Sequence, residues 1–258
     1  MNTVSIDELN IRYKDTGEGD VIVILQGWGT RLEVYDSIAN TLVSGYRVIQ
    51  FDFPGFGEST EPPEPWDPRD YAAFFIKFMK KLGIKKATLM GHSYGGRVII
   101  CLASGDKSKL GFEIEKLVLF DAAGILPQRT AAQEKKVKRY KRLKAFLSLP
   151  PVYALFKEPI EQWKSKQGSE DYRNATPIMR STLVKAVNTD LSDKLPDIDY
   201  ETLLIWGEND TATPLSDGQK MDKLIPNSGL AVIQNAGHYA FLEQPVVFTN
   251  ILKSYFGL

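Results

Sequence analysis

The run Gly91-His92-Ser93-Tyr94-Gly95-Gly96 sets a serine between glycines where a buried strand gives way to a helix. Upstream, Lys86-Ala87-Thr88-Leu89-Met90 is a short apolar run bounded by glycine, the pattern of a buried parallel strand. Downstream, Arg97-Val98-Ile99-Ile100-Cys101-Leu102-Ala103 reads as a mostly buried helix. So tight a strand–serine–helix turn strains the serine backbone and projects its hydroxyl clear of the sheet. This is the sequence form of a nucleophile elbow. Gly91 and Gly95 are needed because a Cβ at either place would collide with neighbouring backbone.

An activated serine requires a base, an acid and a site for the oxyanion. The chain has only two histidines. His92 sits beside the serine, where consecutive side chains point apart, so it does not reach Ser93. That leaves His238, on the loop after the strand-like run Leu230-Ala231-Val232-Ile233-Gln234. A bland role for His238 would be to cap the helix that begins near Phe241. Two carboxylates compete to orient the imidazole. Asp210 follows Thr202-Leu203-Leu204-Ile205-Trp206-Gly207, and Asp121 follows Lys116-Leu117-Val118-Leu119-Phe120. Asp210 gives the chain order Ser, Asp, His, and Asp121 reads as closing a turn on the amides of Ala122 and Ala123. Glu208, also nearby, reads as solvated.

These segments, with Asp52-Phe53-Pro54-Gly55-Phe56-Gly57-Glu58-Ser59 and the Glu243-Gln244-Pro245 that follows His238, resemble the α/β-hydrolase fold superfamily. The resemblance runs from about residue 22 to 245 and implies a triad of Ser93 (nucleophile), His238 (base, then acid) and Asp210 (orienter). In such proteins a strand leads into a His-Gly pair, and the next backbone N–H is an oxyanion donor. Here Val21-Ile22-Val23-Ile24-Leu25 leads into Gln26-Gly27-Trp28, so the resemblance implies the Trp28 and Tyr94 amides as donors. Gln26 replaces the histidine without removing a backbone donor, and its amide is free to brace the loop. The Trp28 ring is expected to wall the pocket as well.

The pattern along the chain agrees. A hairpin near 3–15 precedes strands at 21–25, 46–52, 86–91, 116–121, 202–206 and 230–234. Helices are expected at about 33–43, 68–82, 94–104, 215–224 and 241–255. This alternation implies a three-layer α/β fold with a mostly parallel eight-stranded sheet covered on both faces. Between Pro127 and about Asp190 the alternation stops, and helices broken at Pro150-Pro151, Pro159 and Pro177 take over. The expected organisation is a core of residues 1–126 and 191–258 with a helical cap at 127–190 overhanging Ser93. Val152, Tyr153, Leu155, Phe156, Trp163 and Met179 are candidates to line its pocket or simply to pack it onto the core. The first cap helix is basic, with Lys135, Lys136, Lys138, Arg139, Lys141, Arg142 and Lys144 against Glu134. It reads as a solvated face or as an attractor of anionic substrates and acidic lipid surfaces.

Composition narrows the function. At 258 residues and 43% hydrophobic, the chain has enough apolar side chain for one large core. Lys plus Arg and Asp plus Glu both number 32, which gives no charge bias toward nucleic acid. The single cysteine, Cys101, has no disulfide partner in the chain and apolar neighbours, so it is a poor nucleophile. No secretion signal or apolar run of membrane-spanning length is seen, so a cytoplasmic location is expected. Two histidines and one cysteine give a metal little to bind, and no cofactor is expected. The expectation is a carboxylesterase-like serine hydrolase acting on a small-molecule ester, as a monomer or weak homodimer. Cleavage of a C–C bond, thioester or amide on the same triad is the alternative, as is a low-turnover ligand-binding protein.

Overall fold

Alternate residues of each central strand leave on opposite faces of one sheet, so the sheet carries two apolar cores. The computed structural model describes residues 1–126, 131–165 and 169–258. Its strands are β1 (Asn2–Ile6), β2 (Leu9–Thr16), β3 (Val21–Leu25), β4 (Arg47–Phe51), β5 (Lys86–His92), β6 (Glu113–Phe120), β7 (Thr202–Gly207) and β8 (Ser228–Ile233). They lie side by side in the order β1-β2-β4-β3-β5-β6-β7-β8. The pairs β1–β2 and β2–β4 are antiparallel, and every pairing from β4 onward is parallel.

Helices cover both faces. On one, α2 (Pro68–Lys81), α3 (Tyr94–Ala103) and α9 (Leu215–Leu224) pack Phe75, Phe78, Val98 and Met221 against Val23, Phe51, Leu89 and Leu117. On the other, α1 (Asp36–Leu42) and α11 (Pro245–Phe256) set Ile38, Leu42, Phe248 and Leu252 against Ile22, Met90, Val118 and Ile205. Each such side chain stabilises the fold by about 1.5–3 kcal/mol relative to exposure. Local signals agree with this packing. Asp67 and Asp70 form a reciprocal capping box at the start of α2, with Pro68 in its first turn.

Between β6 and β7 lie α4 (Ala131–Leu147), α5 (Pro150–Leu155), α6 (Lys157–Ser165), α7 (Glu170–Asn174) and α8 (Pro177–Asn188). The expected cap start at Pro127 lies outside the described residues, as do the side chains of Glu134, Lys136, Lys144 and Trp163. The expected break at Pro159 falls just upstream, at Phe156, and Pro159 sits in the first turn of α6, where a backbone N–H has no intrahelical partner to lose. The expected C-terminal helix is instead divided into α10 (Ala240–Glu243) and α11, because Gln244 before Pro245 is driven to an extended φ of −130°. Among the described residues, no helix is long and apolar enough to cross a membrane.

The elbow depends on absent side chains. A Cβ on Gly91 would stand 2.6 Å from Ile99 Cδ1 and 2.7 Å from the Gly96 nitrogen, and one on Gly95 would strike the Leu25 carbonyl. We predict that Gly95→Ala costs about 3 kcal/mol or more in urea unfolding. Gly229→Ala, with nothing within 4 Å of its added Cβ, should cost far less.

Candidate active site

The residues singled out in the sequence gather at the C-terminal ends of the parallel strands, where open α/β sheets place their crevices. Trp28 follows β3, Ser93 follows β5, Asp121 follows β6, Asp210 follows β7 and His238 follows β8. Ser93 has φ 48° and ψ −108°, a strained conformation that the flanking glycines make sterically feasible. His238 Nε2 lies 3.0 Å from Ser93 Oγ, and His238 Nδ1 lies 2.8 Å from Asp210 Oδ2. The buried carboxylate only accepts, so Nδ1 carries the proton and Nε2 accepts from the Ser93 hydroxyl. The geometry therefore brings Ser93, His238 and Asp210 into one line.

Burial alone would raise the Asp210 carboxyl, but hydrogen bonds from His238 and Thr213 outweigh it and hold it below the ordinary carboxylate range. Asp210 Oδ1 accepts from the amides of Ala212 at 2.7 Å and Thr213 at 2.9 Å, and the Thr213 hydroxyl reaches Oδ2 at 2.7 Å. Thr213 escaped the sequence reading, although an aspartate three residues before a threonine is a local turn signal. Glu208, expected to be solvated, is exposed and accepts from the Asn235 amide at 3.3 Å.

Asp121 does not bond the amides of Ala122 and Ala123 as expected. Its own φ of 45° turns the carboxylate inward, where it accepts from the amides of Gly207 at 2.8 Å and Ala240 at 3.4 Å. It thereby pins the ends of the two loops that carry Asp210 and His238. Burial pushes its carboxyl up to about 7, against the pull of those two amides.

His92 also has a place that the sequence did not reveal. Burial lowers it to about 3, so it stays neutral. Its Nε2–H donates to the His238 carbonyl at 2.8 Å, and its Nδ1 accepts from the Tyr35 hydroxyl at 3.0 Å. The Tyr35 oxygen in turn accepts from the Gly27 amide at 2.7 Å. Gly27 must lack a Cβ, which would stand 2.6 Å from His92 Nδ1. Glu243 completes the support by accepting from the Gly237 amide at 2.8 Å and the Tyr239 amide at 3.3 Å.

Trp28 and Tyr94 lie together, with ring centroids 5.3 Å apart. Neither backbone N–H is taken by a protein acceptor among the described residues. Gln26 braces the loop as expected. Its Nε2 donates to the Thr30 carbonyl, and its Oε1 accepts from the Phe53 amide at 3.3 Å. Cys101 lies on α3, and burial pushes its thiol up to about 11. Of the expected pocket residues, Met179 is buried against Gly55, whereas Leu155 and Phe156 are 77% and 55% exposed. No metal-holding group of His, Cys, Asp or Glu occurs among the described residues.

The sequence profile of the alpha/beta hydrolase family matches residues 22–251. The chain is 25% identical to the 2-hydroxy-6-oxononadienedioate/2-hydroxy-6-oxononatrienedioate hydrolase 1 of Pseudomonas putida, over 96% of this chain and 92% of that protein. It is 26% identical to a pimeloyl-acyl-carrier-protein methyl ester esterase of Aeromonas hydrophila, over 96% of this chain and 100% of that protein. An esterase structure from Exiguobacterium antarcticum superposes with a TM-score of 0.74 at 25% identity, covering 98% of this chain and 97% of that one.

Tyr35→Phe strands the buried Gly27 amide and should cost about 1–3 kcal/mol in denaturant unfolding. Asp121, raised in the folded state, stabilises most at acid pH and loses that contribution as pH climbs through about 7. Asp121→Asn should therefore flatten the pH dependence of Tm between about 4 and 7.

Proposed function

The chain belongs to the alpha/beta hydrolase family, and from that premise we propose that it is a serine hydrolase cleaving a small-molecule carboxylic ester. The observation that carries this reading is the line Ser93 Oγ, His238 Nε2, His238 Nδ1, Asp210 Oδ2, with spacings of 3.0 Å and 2.8 Å across its two hydrogen bonds. In this reading Ser93 Oγ attacks the ester carbonyl carbon while its proton passes to His238 Nε2. Asp210 holds the ring and stabilises the imidazolium. The tetrahedral oxyanion rests on the Trp28 and Tyr94 amides, at the positive end of α3. Collapse breaks the ester C–O bond, and His238 gives its proton to the departing alcohol. Water, deprotonated by His238, then attacks the acyl carbon and releases the acid and Ser93.

The segment 127–190 serves in this reading as a cap. Support comes from Met179 packed against Gly55 and Asp171 close to Gly29, which set the insertion over the strand-end loops. The esterases among the similar proteins favour the ester as substrate. The Pseudomonas relative, a hydrolase of oxo-dienedioates by name, favours a second reading, hydrolysis of a C–C bond in a vinylogous diketone. A panel of esters, a thioester, an amide and such a diketone separates the two.

The first test is covalent. A fluorophosphonate should label Ser93 within minutes, and Ser93→Ala should not label and should lose roughly 10⁴-fold or more in kcat with its fold intact. Asp210→Asn, which leaves the wrong tautomer, should lose about 10⁴-fold.

A further inference from the structure

A pocket of about 330 Å³ opens beside Trp28, lined by Phe56 and Met179 and by the polar groups of Asp171, Asn174 and Thr176. Asp171 lies on α7, and its Oδ1 stands 3.3 Å from where a Cβ on Gly29 would be. The same carboxylate is also felt at Tyr239, next to the proposed base. Burial first, and then the Asp171 charge, raise the Tyr239 hydroxyl, whose ring lies 5.5 Å from that of His238. Asp171 thus lies against the loop of the proposed oxyanion donors and within electrostatic reach of the loop of the proposed base.

Among the described residues this carboxylate makes no ion pair. Arg31, two residues beyond Gly29, is held by Glu58 at 3.0 Å and Glu33 at 3.6 Å. Arg180, on α8, donates to the carbonyls of Tyr172 and Arg173. Thr176 donates to Glu61 at 2.5 Å, which brings a second carboxylate to the same rim. None of the described α4 lysines or arginines lines the pocket. The lining also includes the aromatic rings of Trp28 and Phe56, 4.8 Å apart and nearly perpendicular.

Resting on the serine hydrolase reading above, we propose that this pocket receives a substrate arm bearing a positive charge and that Asp171 turns away carboxylate-bearing substrates. A cation gains the carboxylate and the aromatic surface of Trp28 and Phe56 in the pocket lining. An anion would give up water there and meet a like charge that no ion pair among the described residues neutralises. Asp171 is exposed, so ionic strength weakens the discrimination, which is largest in low salt.

Three fluorophosphonates identical except for an arm ending in trimethylammonium, methyl or carboxylate test this on the full chain. The readout is the rate at which each forms its Ser93 adduct, divided by the rate of the neutral probe in the same variant. In low salt the cationic probe should outrun the anionic one by about tenfold. The ratio should fall toward one in Asp171→Asn, reverse in Asp171→Lys, and shrink in high salt. A ratio indifferent to both substitutions overturns the role of Asp171 while leaving Ser93 as nucleophile. Failure of even the neutral probe to label Ser93 overturns the hydrolase reading and this inference with it.

Discussion

A neutral imidazole in the interior ties together the two loops whose separation decides whether Ser93 and His238 meet. His92 gives its only N–H to the His238 backbone and takes the Tyr35 hydroxyl, which takes the Gly27 amide. Each such bond contributes only about 1 kcal/mol net, but breaking one strands a buried polar group at about 1–3 kcal/mol. That asymmetry makes the line stiff. Protonation of His92 would turn the Tyr35 hydroxyl away toward Thr30 Oγ1, 3.0 Å off, and bury a charge. Burial keeps the ring in the neutral state in which Tyr35 donates to it. The spacing of Ser93 to His238 is inherited from a residue that contacts neither the Ser93 hydroxyl nor Asp210.

Strain at the strand ends is held by the same economy of bonds. Ser93 and Asp121 both have positive φ, at a cost of about 1–3 kcal/mol each. Ser93 recovers a place in the backbone network by donating to the Phe120 carbonyl and accepting from Ala123 at 2.8 Å. Asp121 donates its own amide to Ile205 at 3.0 Å and turns its carboxylate under Gly207 and Ala240. The two strained residues stand at the ends of neighbouring strands, β5 and β6, and Ser93 bonds the backbone on either side of Asp121. Strain confined to one of them would relax by shifting its strand. Shared across the seam, it is fixed by the sheet register.

Much of the fold was legible because its signals are local. Apolar runs bounded by glycine and proline marked the parallel strands, and the scarcity of histidine pointed to His238 before any geometry was known. What stayed hidden depends on distant partners. Asp121 looked like a turn-former because Ala122 and Ala123 are its sequence neighbours, yet its amide partners Gly207 and Ala240 lie more than eighty residues away. His92 was read only for what it does not reach, since Tyr35 is 57 residues off and leaves no local pattern. Thr213 was a different kind of miss, because its signal sat within one turn of Asp210. The division of the last helix was legible too, in Gln244-Pro245, but the apolar periodicity on both sides masked it.

Gln26 shows why a departure from a family pattern need not disturb a site built from backbone. The side chain there must join two loops at once, the Gly27–Thr30 turn and the chain after β4. A carboxamide offers a donor and an acceptor in one rigid plane at any pH. Gln26 uses both, giving its N–H to Thr30 and taking the amide of Phe53. Neutral histidine would match that pair with its two ring nitrogens, but protonation would turn its acceptor into a second donor facing the Phe53 N–H. With glutamine the loop that presents the Trp28 amide holds its shape without regard to proton concentration. Buried His92 is likewise fixed in its neutral form. Gln26 and His92 are thus two supports of the Ser93 site insulated from the proton transfers proposed for the reaction, whereas burial brings a third, the Asp121 carboxyl, up to about 7.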